Sequence, residues 1–131
     1  MDSDDYLFVY GTLRQDIQNA AHPLLKGRAT YIDLGAFHGK LYDLGRYPGA
    51  VPARGANDWV VGEIYRLNDS HATLKVLDAY EGRRFRRKPV TVKKHGGQRV
   101  TAWIYLYVGP VQQYLRIRSG DYLQYRNSSP G

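Results

Sequence analysis

The sequence predicts an α+β domain: a small, mixed, mostly antiparallel sheet curled into a partly closed barrel, with one main helix. Three observations predict it. About six stretches have strand composition, one stretch carries helical periodicity with caps at both ends, and the strands do not alternate with helices as a doubly wound parallel sheet requires. Closing such a sheet removes its exposed edges. The 131 residues, 43% hydrophobic and 24% charged, suit a single domain spanning residues 1–131. A chain of this length buries enough apolar surface to hold together without disulfides or a structural metal.

Tyr6-Leu-Phe-Val-Tyr10 is a short apolar run that stops at Gly11, the pattern of a buried strand feeding a loop. From Gln15 to Lys26 the pattern is mixed and Pro23 interrupts it, so a short helix or irregular segment is expected. Gly35, Gly39, Gly45 and Gly49, with Pro48 and Pro52, divide residues 31–53 into short strands and turns. Alternation over 59–67 puts Trp59, Val61, Glu63, Tyr65 and Leu67 on one face of a strand, so Glu63 points with apolar neighbours. Asn68-Asp69-Ser70 supplies N-cap candidates for a helix running to about Tyr80 and ended by Gly82. Residues 85–94 and 98–108 read as two strands joined by a tight turn at Gly96-Gly97. Residues 1–5 and the polar stretch 127–131 are expected as flexible ends.

Composition removes several function classes. The absence of cysteine excludes thiol catalysis, zinc–thiolate sites and iron–sulfur clusters. The four histidines, at 22, 38, 71 and 95, form no close pair, so no histidine metal motif is present. Nucleophile-elbow, phosphate-loop and dinucleotide fingerprints are missing as well. No apolar run approaches the roughly 20 residues of a membrane span, and Met1-Asp2-Ser3-Asp4-Asp5 is acidic where a signal peptide needs cations. A soluble, cytoplasmic protein is the expectation.

Charge is unevenly spread. Residues 1–82 carry 8 Lys/Arg against 11 Asp/Glu, whereas residues 83–131 carry 11 against 1. The densest part is Arg83-Arg84-Phe85-Arg86-Arg87-Lys88, continued by Lys93, Lys94 and Arg99. Such a segment, 83–99, attracts nucleic acid or another polyanion, or simply serves as a solvated face; no helix-turn-helix, RRM or KH signature accompanies it. A non-catalytic binding module using this segment is therefore the alternative to an enzyme.

The chemistry that remains is that of a carboxylate. Glu63 and Glu81 are the only glutamates beside ten aspartates. Leu74, Leu77 and Glu81 follow at i, i+3 and i+7, which sets the Glu81 carboxyl on the helix's apolar stripe at its C-terminal end. Apolar burial and the negative end of the helix dipole both disfavour ionisation and move the pKa toward neutrality, where a general base works best. The competing possibility is a surface pair between Glu81 and Arg83 or Arg84. Glu63 is read either as a second carboxylate beside the site or as a strand residue bonded to backbone or an arginine. Tyr10-Gly11-Thr12-Leu13-Arg14 offers a strand-end turn whose N–H groups suit a carboxylate or an oxyanion.

These two features, in this order and about 70 residues apart, resemble the gamma-glutamylcyclotransferase-like family, which includes the gamma-glutamylamine cyclotransferases. The resemblance covers nearly the whole chain through Tyr10-Gly-Thr-Leu-Arg14, Leu41-Tyr-Asp-Leu-Gly45 with Tyr47-Pro-Gly49, Gly62-Glu-Ile-Tyr65, Leu77-Asp-Ala-Tyr-Glu-Gly82, Ala102-Trp-Ile-Tyr-Leu106 and Ser119-Gly-Asp121. It implies a small mixed barrel, a substrate-binding loop at Tyr10, Gly11, Thr12 and Leu13, and Glu81 as catalytic acid/base. Tyr105 matches a family tyrosine lining the pocket, with Tyr107 as its neighbouring alternative. Family members often have tyrosine where this chain has Phe85, which bears on specificity. The implied reaction closes a γ-glutamyl unit to 5-oxoproline and releases an amine or amino acid, with no metal or organic cofactor and a small γ-glutamyl compound as the partner.

Overall fold

Strand β1 (Tyr6–Val9) forms where both faces of an apolar run find cover, with Phe8 packed into one buried cluster and Leu7 and Val9 into another. The computed structural model describes residues 5–18 and 22–128, and their elements follow in the order β1, α1 (Gln15–Gln18), β2 (Ala29–Asp43), β3 (Pro48–Pro52), β4 (Trp59–Leu67), α2 (Ser70–Glu81), β5 (Phe85–Lys94), β6 (Arg99–Tyr107), β7 (Leu115–Ile117) and α3 (Tyr122–Ser128). Neighbouring strands run β2-β4-β1-β6-β5, and β5 returns to β2 through Gly35↔Lys94 and Ala36↔Lys93, so five strands close a barrel. All pairings are antiparallel except β1 with β6. β3 and β7 extend the far end of β2, meeting it at Leu41↔Ala50 and Leu41↔Ile117.

The barrel interior is filled by Phe8, Phe37, Val60, Ile64, Val92, Ala102 and Ile104. A second cluster lies between the outer face of β1, β4 and β6 and helix α2, and contains Leu7, Val9, Leu13, Tyr65, Leu74 and Leu77. In β4 the expected alternation holds: Val60 and Ile64 face the interior cluster while Tyr65 and Leu67 join the outer one. The β5–β6 hairpin also matches its expectation, pairing from Phe85↔Tyr107 to Lys93↔Arg99.

Three expectations need correction. Residues 31–43 are not broken into short strands: β2 runs unbroken for 15 residues. Its glycines provide space and make no turn there; a Cβ on Gly35 would stand 2.7 Å from Ile64 Cδ1, so glycine lets β2 pass close over β4. The second correction concerns the chain end, where Asn127 and Ser128 belong to α3, started by Asp121, whose carboxylate accepts from Leu123 N and Gln124 N at 3.1 and 3.3 Å. At the other end Asp5 is tied down, its carbonyl accepting from Leu67 N at 2.9 Å; residues 1–4 and 129–131 of the expected flexible ends lie outside the described residues. Third, a short helix, α3, stands where none was expected; α2 is the one main helix, and the short α1 falls within the segment 15–26 expected to hold a short helix or irregular structure.

Helix α2 begins as the sequence indicates, with the Asp69 carboxylate accepting from Ala72 N at 3.2 Å. It ends one residue beyond the expected Tyr80. Gly82 follows at φ 78°, ψ −166°, a region essentially reserved for glycine, and its N–H donates to the Asp78 carbonyl. That termination fixes where the last helical residue, Glu81, is delivered. Gly82→Ala is expected to cost about 1–3 kcal/mol in chemical denaturation; a loss within about 0.5 kcal/mol, the usual range for neutral surface changes, would contradict this account.

Candidate active site

Where β1 ends, residues 10–13 turn across the barrel mouth and face the C-terminal end of α2 over a cavity of about 230 Å³. Tyr10, Gly11, Thr12 and Leu13 line one side of it, and Glu81, Phe85 and Tyr105 contribute to the rest. Tyr47 and Pro48, at the start of β3, and the half-exposed Tyr80 complete the polar and aromatic rim. The segments singled out in the sequence are thus brought to one hollow.

The loop is clamped from several directions. The Tyr10 ring packs in the barrel interior, and its hydroxyl donates to the Tyr105 carbonyl at 2.6 Å while accepting from Ala50 N at 3.2 Å. Burial pushes its pKa far above the ordinary tyrosine value. Tyr10 therefore lines the cavity with its hydroxyl already committed to internal partners. Gly11 is required by close approach: a Cβ there would meet Pro48 Cγ at 2.9 Å, whereas its φ is not in the left-handed region. Leu13 is buried in the outer cluster, and Arg14 N closes the turn onto the Gly11 carbonyl at 3.0 Å.

Two buried charged residues hold the far side of the turn. Arg14, only 2% exposed, grips Asp16 through Nε at 2.9 Å and Nη2 at 2.7 Å, and reaches Asp121 at 3.0 Å. Glu63, 1% exposed, accepts from Gln15 N at 2.8 Å, Asp16 N at 3.4 Å and the Tyr65 hydroxyl at 2.9 Å. Of its two sequence readings, the structure shows the one bonded to backbone. Burial raises its pKa, and these donors partly oppose the rise.

Glu81 differs. Burial pushes its carboxyl up to about 7, and the carbonyl end of α2 acts in the same direction. Among the described residues no cation pairs with it: Arg84 donates instead to the Tyr47 and Tyr114 hydroxyls, at 3.0 Å each. The surface pair considered from the sequence is therefore not formed.

One turn earlier on the same helix, Asp78 accepts the Tyr105 hydroxyl at 2.6 Å and two arginine bonds from Arg87, at 2.8 and 3.1 Å. The Arg87 guanidinium lies 4.4 Å from the Trp103 ring centroid. This network staples the last turn of α2 to β5 and β6, and the Arg87 contact holds the Asp78 carboxyl below its usual range. Tyr107 points elsewhere, its hydroxyl donating to the Pro110 carbonyl at 3.3 Å. Phe85 presents an apolar ring to the cavity, packed against Tyr47 and Tyr107. Arg14, Asp78 and Tyr47 escaped selection as site residues, although each stands inside a quoted motif. Their roles depend on partners 9 to 107 positions away, which spacing does not reveal.

Among the described residues no group of three or more His, Asp or Glu side chains could hold a metal ion, and no helix is long and apolar enough to cross a membrane. Residues 7–124 match the family model described as gamma-glutamyl cyclotransferase, AIG2-like. The chain is 38% identical over 117 residues to the gamma-glutamylcyclotransferase family protein YtfP of Escherichia coli K12, covering 89% of this chain and 95% of that one. The solution structure of ytfP from E. coli superimposes with a TM-score of 0.65 at 34% identity, over 92% of this chain and 98% of the other. The gamma-L-glutamyl-butirosin B gamma-glutamyl cyclotransferase of Niallia circulans is 33% identical over 129 residues, 92% of this chain and 76% of its own length. The crystal structure of YkqA from Bacillus subtilis gives a TM-score of 0.74 at 26% identity, covering 95% of this chain and 41% of YkqA.

A carboxyl whose folded pKa exceeds its unfolded value supports the fold below the unfolded value and withdraws that support as pH rises through the folded one. For Glu81 the window lies between about 4.5 and about 7. Glu81→Gln is accordingly expected to melt higher than the parent at pH 8 and level with it at pH 4. A gain independent of pH in calorimetry would show that the carboxyl is solvated.

Proposed function

The chain belongs to the gamma-glutamyl cyclotransferase, AIG2-like family, and from that premise we propose that it is a cyclotransferase that closes a γ-glutamyl unit to 5-oxoproline, with Glu81 as the acid/base. One observation carries the proposal: a carboxyl with pKa about 7, unpaired by any described cation, on the wall of a small cavity opposite the Tyr10–Leu13 loop. A group of that pKa is a competent base and a competent acid at neutral pH.

The substrate's α-amine attacks its own γ-carbonyl carbon. The new C–N bond closes a five-membered lactam, the original amide C–N bond breaks, and no water is consumed. Nucleophile and electrophile share one molecule, so the site's task is to hold the folded conformer, which a narrow hollow between a clamped loop and a stapled helix does. Glu81 takes the proton the amine must lose and returns it to the departing nitrogen. The backbone of residues 10–13 receives the substrate carboxylate or the developing oxyanion, a role that rigid N–H groups perform without reorganising. Tyr105 and Phe85 bound the aliphatic part of the unit.

Glu81→Gln keeps the shape and removes the proton acceptor; 5-oxoproline release is expected to fall by about 10²–10⁴-fold or more. Glu63→Gln should cost much less, and a comparable loss there would move the base to Glu63. In wild type, kcat/KM should rise with pH through about 7 as Glu81 ionises. An acidic limb near the ordinary carboxylate value would remove Glu81 from the proton transfer.

A further inference from the structure

The cavity of about 230 Å³ is smaller than the roughly 300–1,000 Å³ that drug-sized ligands fill. A γ-glutamyl unit seated in it leaves the departing amine at the rim, and behind one rim residue, Tyr47, stands a cation that does not itself line the cavity. Arg84 leaves the Gly82 turn and donates to the hydroxyls of Tyr47 and Tyr114, each at 3.0 Å. Its guanidinium carbon lies 5.8 Å from the Tyr47 ring centroid and 5.5 Å from that of Tyr107. Tyr47 is a wall of the cavity, and so is Phe85, the next residue in the chain.

These partners set Arg84 apart from the arginines that support the fold. Arg14, Arg87 and Arg116 each meet a carboxylate, whereas among the described residues Arg84 meets none. Ring faces and hydroxyls hold the planar fork in place without neutralising it. An incoming carboxylate matches the N–H groups that remain, in the geometry that makes arginine–carboxylate pairs strong. Phe85 supplies no hydroxyl to compete for them.

We propose that Arg84, cradled by Tyr47, Tyr107 and Tyr114, is the residue that selects γ-glutamyl substrates whose departing amine bears a carboxylate over those whose departing amine lacks one. The assignment rests on the cyclotransferase function above. Because the guanidinium is open to solvent, its effect is modest and salt-sensitive, about 2- to 5-fold in KM.

The test compares γ-glutamyl-alanine with γ-glutamyl-ethylamide, which differ only in the leaving group's carboxylate, by 5-oxoproline release and in parallel by calorimetric binding. Wild type is expected to show the lower KM for the alanine compound, with the ratio shrinking as KCl rises from roughly 50 to 500 mM. Arg84→Gln should bring the ratio near one, and Arg84→Lys should keep part of it. Equal KM values in wild type overturn the assignment, as does a ratio that survives Arg84→Gln. A loss in Arg84→Gln equal for both compounds also overturns it, because the arginine would then be holding the glutamyl end. If neither compound is cyclised, the cyclotransferase function falls, while the binding ratio and its loss in Arg84→Gln still decide the role of Arg84.

Discussion

A guanidinium that is 2% exposed is tolerated only where its charge and donors are met, since removing it from water costs several kcal/mol. Arg14 meets that condition by drawing three segments together: the start of α1 through Asp16, β4 through the Val61 carbonyl, and the start of α3 through Asp121. Asp121 in turn caps α3, so the same carboxylate that neutralises Arg14 also begins the last helix. The turn after β1 is thereby fixed by the chain's last helix. A loop position that depends on this buried contact cannot drift without exposing an unpaired charge, and residues 10–13 inherit that rigidity.

The polar groups around the cavity divide accordingly. The Tyr10 hydroxyl is committed to the Tyr105 carbonyl and Ala50 N, and the Tyr105 hydroxyl to Asp78, which Arg87 holds from the other side. Side chains that look like substrate ligands in the sequence thus act first as struts. Both residues line the cavity, and the Tyr105–Asp78 bond keeps the last turn of α2 seated on the sheet. Within the basic run 83–88, Arg87 has the same internal purpose, being spent on Asp78 and Trp103.

The sequence carried what short periods and local caps encode. Strand β4 and its two faces, the β5–β6 hairpin, and α2 from Asp69 to Gly82 were all readable because each depends on neighbours within a few positions. The 15-residue β2 was hidden by its glycines, which read locally as breaks and act globally as room for Ile64. The strand-end turn at Gly11 was readable, while the demand for glycine there comes from Pro48, 37 positions later. Helix α3 was missed although its Asp121 cap is local, because seven residues are too few to show a helical period. Glu81 and the loop that faces it were legible because a helical stripe and a strand end each name their own direction.

Glu63 and Glu81 show why burial alone does not make a base. Both carboxyls are drawn out of water and both have raised pKa values. Glu63 is the more deeply buried, yet three donors point at it, two backbone N–H groups and the Tyr65 hydroxyl, and each stabilises the ionised form while occupying a lone pair. Its charge is used up in ordering the start of α1. At Glu81 burial acts without such opposition, so the carboxyl is held near neutrality by the cost of ionising and faces a hollow. What separates the structural acid from the candidate catalytic one is therefore the number of donors its surroundings supply.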